Sequence, residues 1–299
     1  MAPEPIGISR LPSRRGHGPL ESWLRRAMTV LADATDTPRL DAELLAAHAL
    51  NMTREDMILR MPDLALPSGL DALLERRLRH EPIAQIVGHR DFWTLTLKVT
   101  RDVLSPRPES ETLIEAAIDH FDRPDDLLGS ENRAPRRILD LGTGSGALLL
   151  AALDLWPEAT GLGIDISEAA LAVARENAAT TGMADRAEFR QGDWVTGIAE
   201  RFDLILCNPP YICDDVALPS DVADYEPALA LFGGPDGLDP YRILSLKIPD
   251  LLAPGGVALF EIGFDQGESA ADLFRGAFLD VDLRRDLAGH ARCLVVTGP

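Results

Sequence analysis

Hydrophobic residues in the first part of the chain recur at the spacing of amphipathic helices. In "LESWLRRAMTVLADA" apolar side chains lie three or four positions apart from Leu20 to Leu31, which predicts one helix. Three further short helices are predicted, the first opened by Pro38, the second capped by Thr53 and the third capped by Ser68. We therefore expect a small, all-helical N-terminal domain.

From residue 137 onward, short apolar runs alternate with helical segments. Strands separated by crossover helices indicate a mostly parallel sheet. The predicted strands are "RILDLG", "ATGLGID", "AEFRQGD", "FDLILCN" and "VALFEIG", and one helix is predicted over "YRILSLKIPDLL". Two late runs, "VDLRRDL" and "ARCLVVTG", follow one another without a helix, so we expect an antiparallel pair at the sheet end. The fold class predicted for this part is Rossmann-like α/β.

These patterns divide the chain into four predicted regions. Residues 1–18 carry charges and prolines without apolar periodicity and are expected to be a disordered leader. Residues 19–88 form the helical domain, and residues 89–110 alternate like a linking β-hairpin. Residues 111–299 form the α/β domain.

Composition and charge argue against several classes of partner and site. The 299 residues contain 29 Lys and Arg against 48 Asp and Glu, a formal charge of -19, whereas binding through nucleic-acid phosphates depends on cationic contacts. Cys207, Cys213 and Cys293 show no CxxC spacing, so neither disulfides nor a metal site is expected. No secretory leader and no run of 18 uncharged apolar residues is recognisable, so we expect a cytoplasmic protein without a membrane partner.

A glycine-rich loop follows the first predicted strand of the α/β domain. In "ILDLGTGSGA" the glycines allow the backbone to turn sharply and lie against a ligand near free helix N–H groups. Asp165 ends the next predicted strand, where a carboxylate can accept hydrogen bonds from both ribose hydroxyls. The predicted cofactor loop is Gly142, Thr143, Gly144, Ser145 and Gly146. This pattern does not distinguish a dinucleotide from S-adenosyl-L-methionine, and tight strand-helix packing is the alternative explanation.

Asp193 and Trp194 end the third predicted strand, in "QGDWV". An acid beside an aromatic ring suits adenine, because the carboxylate can bind the amino group and the ring offers a packing surface. A core tryptophan is the alternative. Ligands of open parallel sheets bind beyond the carboxyl ends of the strands, where this pair, Asp165 and the glycine loop all fall.

The fourth predicted strand stops at "NPPY", that is Asn208, Pro209, Pro210 and Tyr211. Proline has no N–H to donate to a sheet, so these residues are expected to form a rigid ledge facing the glycine loop. The Asn208 side-chain oxygen and the Pro209 carbonyl can accept hydrogen bonds from an –NH₂ group and aim its lone pair at a methyl donor. Tyr211 can stack on a planar amide. A simple proline turn is the alternative.

Taken together, these motifs resemble a known family. "NPPY", "ILDLGTGSGA", "GIDIS" and "GDW" are similar to class I S-adenosyl-L-methionine-dependent methyltransferases that modify a planar –NH₂ group. "EPIAQIVGHRDFW", "SPRPESETLIE", "YEPALALFGGPDGL" and "EIGFDQGE" narrow the resemblance to the release factor glutamine methyltransferase family.

The resemblance implies a class I methyltransferase fold, S-adenosyl-L-methionine as cofactor, and methylation of the N5 amide of the GGQ glutamine in peptide chain release factors. It also implies that Gly142 to Gly146, Asp165, Trp194 and Asn208 bind the cofactor and that Asn208 to Tyr211 hold the substrate glutamine. Phe92 and Arg107 would face the cofactor crevice, although a structural salt bridge is the alternative for Arg107.

Other activities stay open from the sequence alone. An enzyme that methylates adenine N6 in nucleic acid uses the same ledge, but the charge of -19 argues against it, and the basic run "ERRLRH" at residues 75–80 is interpreted as a solvated helix face. A glutamine methyltransferase of a ribosomal protein and a non-catalytic adaptor are further candidates, and an intact NPPY argues against the adaptor. The helical domain is expected to dock the protein substrate, and the protein to be a monomer.

Overall fold

The computed structural model describes residues 18–122, 134–277, 279–286 and 288–298. The chain divides into two compact units, residues 1–87 and 88–299. Apart from Gly18, the predicted leader lies outside the described residues.

The first unit contains five described α-helices around one hydrophobic cluster. Thr53 caps the third of them as predicted, since its side chain accepts a hydrogen bond from the Asp56 N–H. The predicted cap at Ser68 is wrong, because Gly69 at φ +86° precedes the fourth helix and turns the chain between Ser68 and its first residue. The helices are α1 Pro19–Leu31, α2 Pro38–Ala49, α3 Arg54–Arg60, α4 Leu70–Leu78 and α5 Ile83–Val87.

Part of the basic run on α4 is turned inward. Arg77 is buried and forms an ion pair with the buried Asp41 of α2 at 2.7 Å. Its neighbour Arg76 pairs with Glu81, also at 2.7 Å. The prediction of a solvated face is therefore wrong for Arg77, because a partner on another helix compensates its charge. The Arg77 pair thus links α4 to α2, whereas the Arg76 pair is local to the end of α4.

The second unit contains a two-stranded hairpin and a seven-stranded sheet in the order β5-β4-β3-β6-β7-β9-β8. Strands β3 to β7 pair in parallel, and β8 and β9 form the predicted antiparallel pair at one end. Its strands are β1 His89–Phe92, β2 Leu95–Lys98, β3 Arg137–Leu141, β4 Thr160–Asp165, β5 Ala187–Gln191, β6 Phe202–Cys207, β7 Leu252–Glu261, β8 Asp280–Arg285 and β9 Ala291–Thr297. Its helices are α6 Glu111–Phe121, α7 Ala147–Leu155, α8 Glu168–Thr180, α9 Ser220–Ala223, α10 Asp239–Ser245, α11 Ile248–Leu251 and α12 Gly267–Arg275.

Alternate residues of the central strands build separate cores on the two faces of the sheet. Ile138 and Leu204 belong to the cluster with α6, α7 and α8, whereas Leu139 and Ile205 belong to the cluster with α10, α11 and α12. Both faces are covered, which explains why these strands read as continuous apolar runs. The mostly parallel Rossmann-like fold is as predicted.

The single helix predicted over "YRILSLKIPDLL" is wrong, because the structure has α10 and α11 with a turn at residues 246–247. Pro249 in the first turn of α11 has no N–H for the Ser245 carbonyl, and its ring would clash there in a continuous helix.

Parallel register brings the carboxyl ends of four strands to one sheet edge. Leu141 of β3 pairs with both Ile164 of β4 and Cys207 of β6, and Asp165 pairs with Gln191 of β5. The residues that follow these strands therefore meet at this edge.

Candidate active site

The glycine loop between β3 and α7 adopts left-handed backbone angles at three positions. Gly142, Gly144 and Gly146 have φ of +70°, +55° and +82°, which favour glycine. The N–H groups of Gly142 and Thr143 both lie 2.9 Å from the Ile164 carbonyl oxygen, which ties the loop to the end of β4. A Cβ on Gly146 would lie 3.4 Å from that of Ala174, so this third glycine permits close packing of α7 on α8.

Asp165 accepts hydrogen bonds from the loop backbone, and its carboxylate oxygens can still accept further hydrogen bonds. Its Oδ2 accepts a hydrogen bond from the Gly144 N–H at 2.8 Å, and its Oδ1 accepts one from the Ser167 N–H at 2.9 Å. Each carboxylate oxygen can accept a second donor. Asp165 lines the crevice and can therefore bind hydroxyl groups there.

A second carboxyl, Asp140, lies beneath the loop and is almost fully buried. Its Oδ2 accepts a hydrogen bond from the Thr143 hydroxyl at 2.6 Å, while its Oδ1 has no partner among the described residues. Burial, together with the charge of Asp165, raises the pKa of Asp140 to about 7. The sequence analysis missed this residue, although its position directly before Leu141 and Gly142 in "ILDLG" is a recognisable signal.

The Trp194 ring lies beside the glycine loop, and the Trp194 backbone is strained. Its φ is +50°, an uncommon angle for a bulky residue that costs on the order of 1–3 kcal/mol. A Cβ on Gly142 would lie 3.8 Å from the indole Cζ3, so the ring covers the loop. Trp194 is half-buried and one side packs on the core, while the adjacent Asp193 is exposed. Both line the crevice.

The ledge after β6 is supported from behind by a glycine turn. A Cβ on Gly233 would overlap the Pro210 carbonyl oxygen, and one on Gly237 would overlap the Tyr211 carbonyl oxygen. Gln266 of the loop before α12 donates its Nε2 hydrogen to the Tyr211 carbonyl at 3.0 Å. Only glycine allows this close approach, so the position of the ledge depends on "GGPDG".

A buried polar chain runs beneath the ledge. Asn208 Nδ2 lies 3.1 Å from Ser110 Oγ, and Ser110 Oγ lies 2.5 Å from Glu261 Oε2. The Tyr211 hydroxyl donates to the other carboxyl oxygen, Oε1, at 3.3 Å. Burial raises the pKa of Glu261 to about 7, against the opposing effect of its hydrogen bond from Ser110. The sequence analysis missed Ser110 and Glu261; a lone acid ending the apolar run "VALFEIG" is the signal for Glu261.

These elements enclose a cavity of about 430 Å³. The predicted site residues that line it are Phe92, Arg107, Gly142, Thr143, Gly144, Ser145, Asp165, Asp193, Trp194, Asn208 and Pro210. Gly146, Pro209 and Tyr211 are predicted site residues outside that lining. The structure thus brings both halves of the prediction together, cofactor loop and ledge, around one cavity.

Phe92 and Arg107 reach the cavity from segments before the parallel sheet. Phe92 ends β1 and is buried in the core beside α7. Arg107 forms an ion pair with the buried Glu226 at 2.6 Å, as the salt-bridge alternative predicted. It also lines the cavity, so both predicted positions apply to this residue. Burial raises the pKa of Glu226, and the Arg107 charge counteracts that shift.

Within the described part of the chain, no group of three or more His, Cys, Asp or Glu side chains is arranged to hold a metal ion. No helix there is long and apolar enough to cross a membrane.

Comparison with known proteins identifies two family models in the chain. A methyltransferase domain matches residues 133–263, and the PrmC N-terminal domain matches residues 22–88. The catalytic domain of hMettl16 in complex with the MAT2A 3′UTR hairpin 6 is 14% identical, with a TM-score of 0.52 over 73% of this chain and 84% of that chain. At that identity the likeness concerns the fold alone.

Sequence relatives are much closer. The release factor glutamine methyltransferase of Rhodospirillum rubrum is 43% identical over 91% of this chain and 82% of its own length. That of Caulobacter vibrioides is 42% identical over 92% of this chain and 95% of its own length. Each of these relatives is more than 40% identical over about nine tenths of this chain, and the matched methyltransferase domain contains the NPPY ledge. The chain therefore belongs to the release factor glutamine methyltransferase family.

Proposed function

We propose that this protein transfers a methyl group from S-adenosyl-L-methionine to the N5 amide of the glutamine in the GGQ motif of peptide chain release factors. The observation that carries the proposal is the ledge at Asn208 and Pro210, which shares one cavity with the glycine loop in a member of this family.

The cavity suits this cofactor in its donors and acceptors. The left-handed glycines present backbone close to the ligand, Asp165 retains acceptor sites for the ribose hydroxyls, and Trp194 offers a surface for adenine. When bound, the cofactor supplies a methyl group on a positively charged sulfur. The proposed cofactor residues are those of the glycine loop with Asp165, Asp193, Trp194, Asn208, Phe92 and Arg107.

The role proposed for Asn208 follows from amide chemistry. An amide nitrogen is a weak nucleophile, because its lone pair is delocalised into the carbonyl, so orientation is the main contribution the protein can make. Asn208 directs its Nδ2 toward Ser110, which leaves its Oδ1 to accept a hydrogen bond from the substrate –NH₂ group. Pro209 lies outside the cavity lining, so the second acceptor role of its carbonyl stays a prediction.

Tyr211 has a role in this proposal that differs from the stacking expected from the sequence. Its hydroxyl is bonded to Glu261 and its carbonyl to Gln266, and none of these three residues lines the cavity. We assign Tyr211 to holding the ledge, and stacking on the substrate amide stays a prediction.

A release factor is the proposed partner, met in the cytoplasm by a monomer with no direct nucleic-acid or membrane partner. The helical unit is proposed to dock it, because residues 22–88 match a family-specific domain and contribute none of the proposed cofactor residues. Arg76 and Arg77 of that unit are engaged in ion pairs, which argues against a phosphate-binding role.

The hMettl16 comparison shows that a related fold accommodates RNA, so the test must include nucleic acid. Purified protein with methyl-labelled S-adenosyl-L-methionine is offered a folded release factor, a ribosomal protein fraction and adenine-containing DNA and RNA oligonucleotides. We expect label in the release factor alone. Label in an oligonucleotide and none in the release factor would overturn the proposal, and label only in a ribosomal protein would support that alternative.

A further inference from the structure

The direction of the Asn208 amide is not set by Asn208 itself. An asparagine side chain presents a donor at one end and an acceptor at the other, and rotation by half a turn exchanges them. Only one of these orientations offers an acceptor to a substrate –NH₂ group. A nearby group must therefore distinguish Nδ2 from Oδ1.

Ser110 makes that distinction because its hydroxyl has a single proton. Ser110 Oγ lies 2.5 Å from Glu261 Oε2. Above its pKa of about 7 this carboxyl group is ionised and can only accept, so the serine proton then points at Glu261. The oxygen of Ser110 then faces Asn208 as an acceptor, at 3.1 Å from Nδ2. If the amide were reversed, two acceptor oxygens would oppose each other.

Burial makes this arrangement costly to disturb. Ser110 is 4% exposed, at the cavity wall, and Glu261 is 1% exposed, so loss of a hydrogen bond to this carboxyl group is costly. Glu261 also accepts from the Tyr211 hydroxyl on its other oxygen. One carboxylate thus contacts both ends of the NPPY segment, Tyr211 directly and Asn208 through Ser110.

We propose that Ser110 and Glu261 are positioning residues for methyl transfer: they orient the Asn208 amide so that its oxygen faces the substrate. This inference rests on the proposed function of Asn208 and adds the two residues that control it. They lie 151 positions apart, on the turn before α6 and at the end of β7.

The test compares Ser110→Ala, Ser110→Thr and Glu261→Gln at about pH 8. The matched control is Ser245→Ala. It removes an equally buried hydroxyl whose hydrogen bond, among the described residues, is to the Arg242 carbonyl of its own helix. For each variant we would measure kcat and KM for the release factor, the Kd for S-adenosyl-L-methionine by calorimetry, and the thermal midpoint.

We expect Ser110→Ala to lower kcat on the order of tenfold, with the cofactor Kd within about twofold of wild type, because orientation is lost and binding is not. Ser110→Thr should recover most of the rate, and Ser245→Ala should keep it. Glu261→Gln leaves one accepting oxygen for the two hydroxyl groups of Ser110 and Tyr211, so the direction of the serine proton is no longer fixed and kcat should fall similarly. The double variant Ser110→Ala with Glu261→Gln should be no worse than either single one.

Unchanged kcat in a folded Ser110→Ala protein would overturn the inference, as would an equal loss of cofactor affinity. A separate measurement does not depend on the substrate. In ¹⁵N-labelled protein, the Asn208 side-chain NH₂ protons should show a nuclear Overhauser contact to the Ser110 β-protons. Finding the Asn208 NH₂ protons directed into the cavity instead would refute the orientation. If wild type methylates no release factor but shows this contact, the proposed function fails and the orientation stands.

Discussion

Replacing Glu261 by glutamine should change how stability depends on pH. Burial raises the pKa of Glu261 from 4.5 to about 7 in the folded protein. Between these values the folded protein holds a proton that the unfolded chain has lost, so this group lowers the free energy of unfolding as pH rises, up to about pH 7. Glutamine does not titrate. The stability of Glu261→Gln relative to wild type should therefore increase with pH across this window.

The magnitude follows from the width of the window. Each pKa unit corresponds to about 1.36 kcal/mol, so the relative stability should rise by about 2 kcal/mol between about pH 5.5 and pH 8. The scan starts at about pH 5.5 because the sequence pI is about 4.6, where low net charge promotes precipitation. Ser110 and Tyr211 are hydrogen-bonded to this carboxyl group, and the other titratable or charged side chains that interact with it electrostatically are Arg292, Glu109, Tyr241, Cys207 and Cys293.

Urea unfolding followed by circular dichroism, at several pH values, measures the effect. Glu115→Gln on the exposed face of α6 controls for removal of one negative charge from an acidic chain. Parallel stability curves for wild type and Glu261→Gln would refute the reasoning, because they would mean that burial does not hold a proton on Glu261.

Three further substitutions test separate parts of the account. Asp165→Ala should weaken S-adenosyl-L-methionine binding by about 1 to 3 kcal/mol, the range for loss of a charged hydrogen-bond partner, and unchanged affinity in calorimetry would reject the ribose assignment. Gly233→Ala should lower the methylation rate on the order of tenfold without altering cofactor affinity, since its methyl group would displace the Pro210 carbonyl; steady-state kinetics with a normal kcat would contradict this. Thr53→Ala should lower the stability of the helical unit by about 1 kcal/mol through loss of its bond to the Asp56 N–H, and an unchanged urea midpoint would count against that cap.

The parts of the fold and site that sequence predicts are those with local signals. Apolar runs mark the buried strands, and because parallel strands end at one edge, Gly142, Asp165, Trp194 and Asn208 could be placed near one another before the structure was known. The antiparallel end pair was likewise readable from the absence of a helix between two late strands.

The features that could not be predicted depend on contacts between distant segments. Arg77 looks like part of a solvated helix face until Asp41 on another helix is placed beside it. Ser110 and Glu261 meet only when the turn before α6 packs against the end of β7. Backbone conformation has a similar effect at Ser68, where the left-handed Gly69 moves a good capping residue off the helix.

The most direct test of the central claim is mass spectrometry of the GGQ peptide of a release factor after incubation with S-adenosyl-L-methionine and this protein. We expect a single added methyl group on the glutamine amide with wild type. With an Asn208→Ala protein that still folds and binds cofactor, we expect methylation to fall on the order of 10²-fold or more. The release factor's Gln→Asn variant should stay unmodified. Near-normal methylation by Asn208→Ala, or a methyl group elsewhere while the GGQ glutamine stays unmodified, would contradict the account.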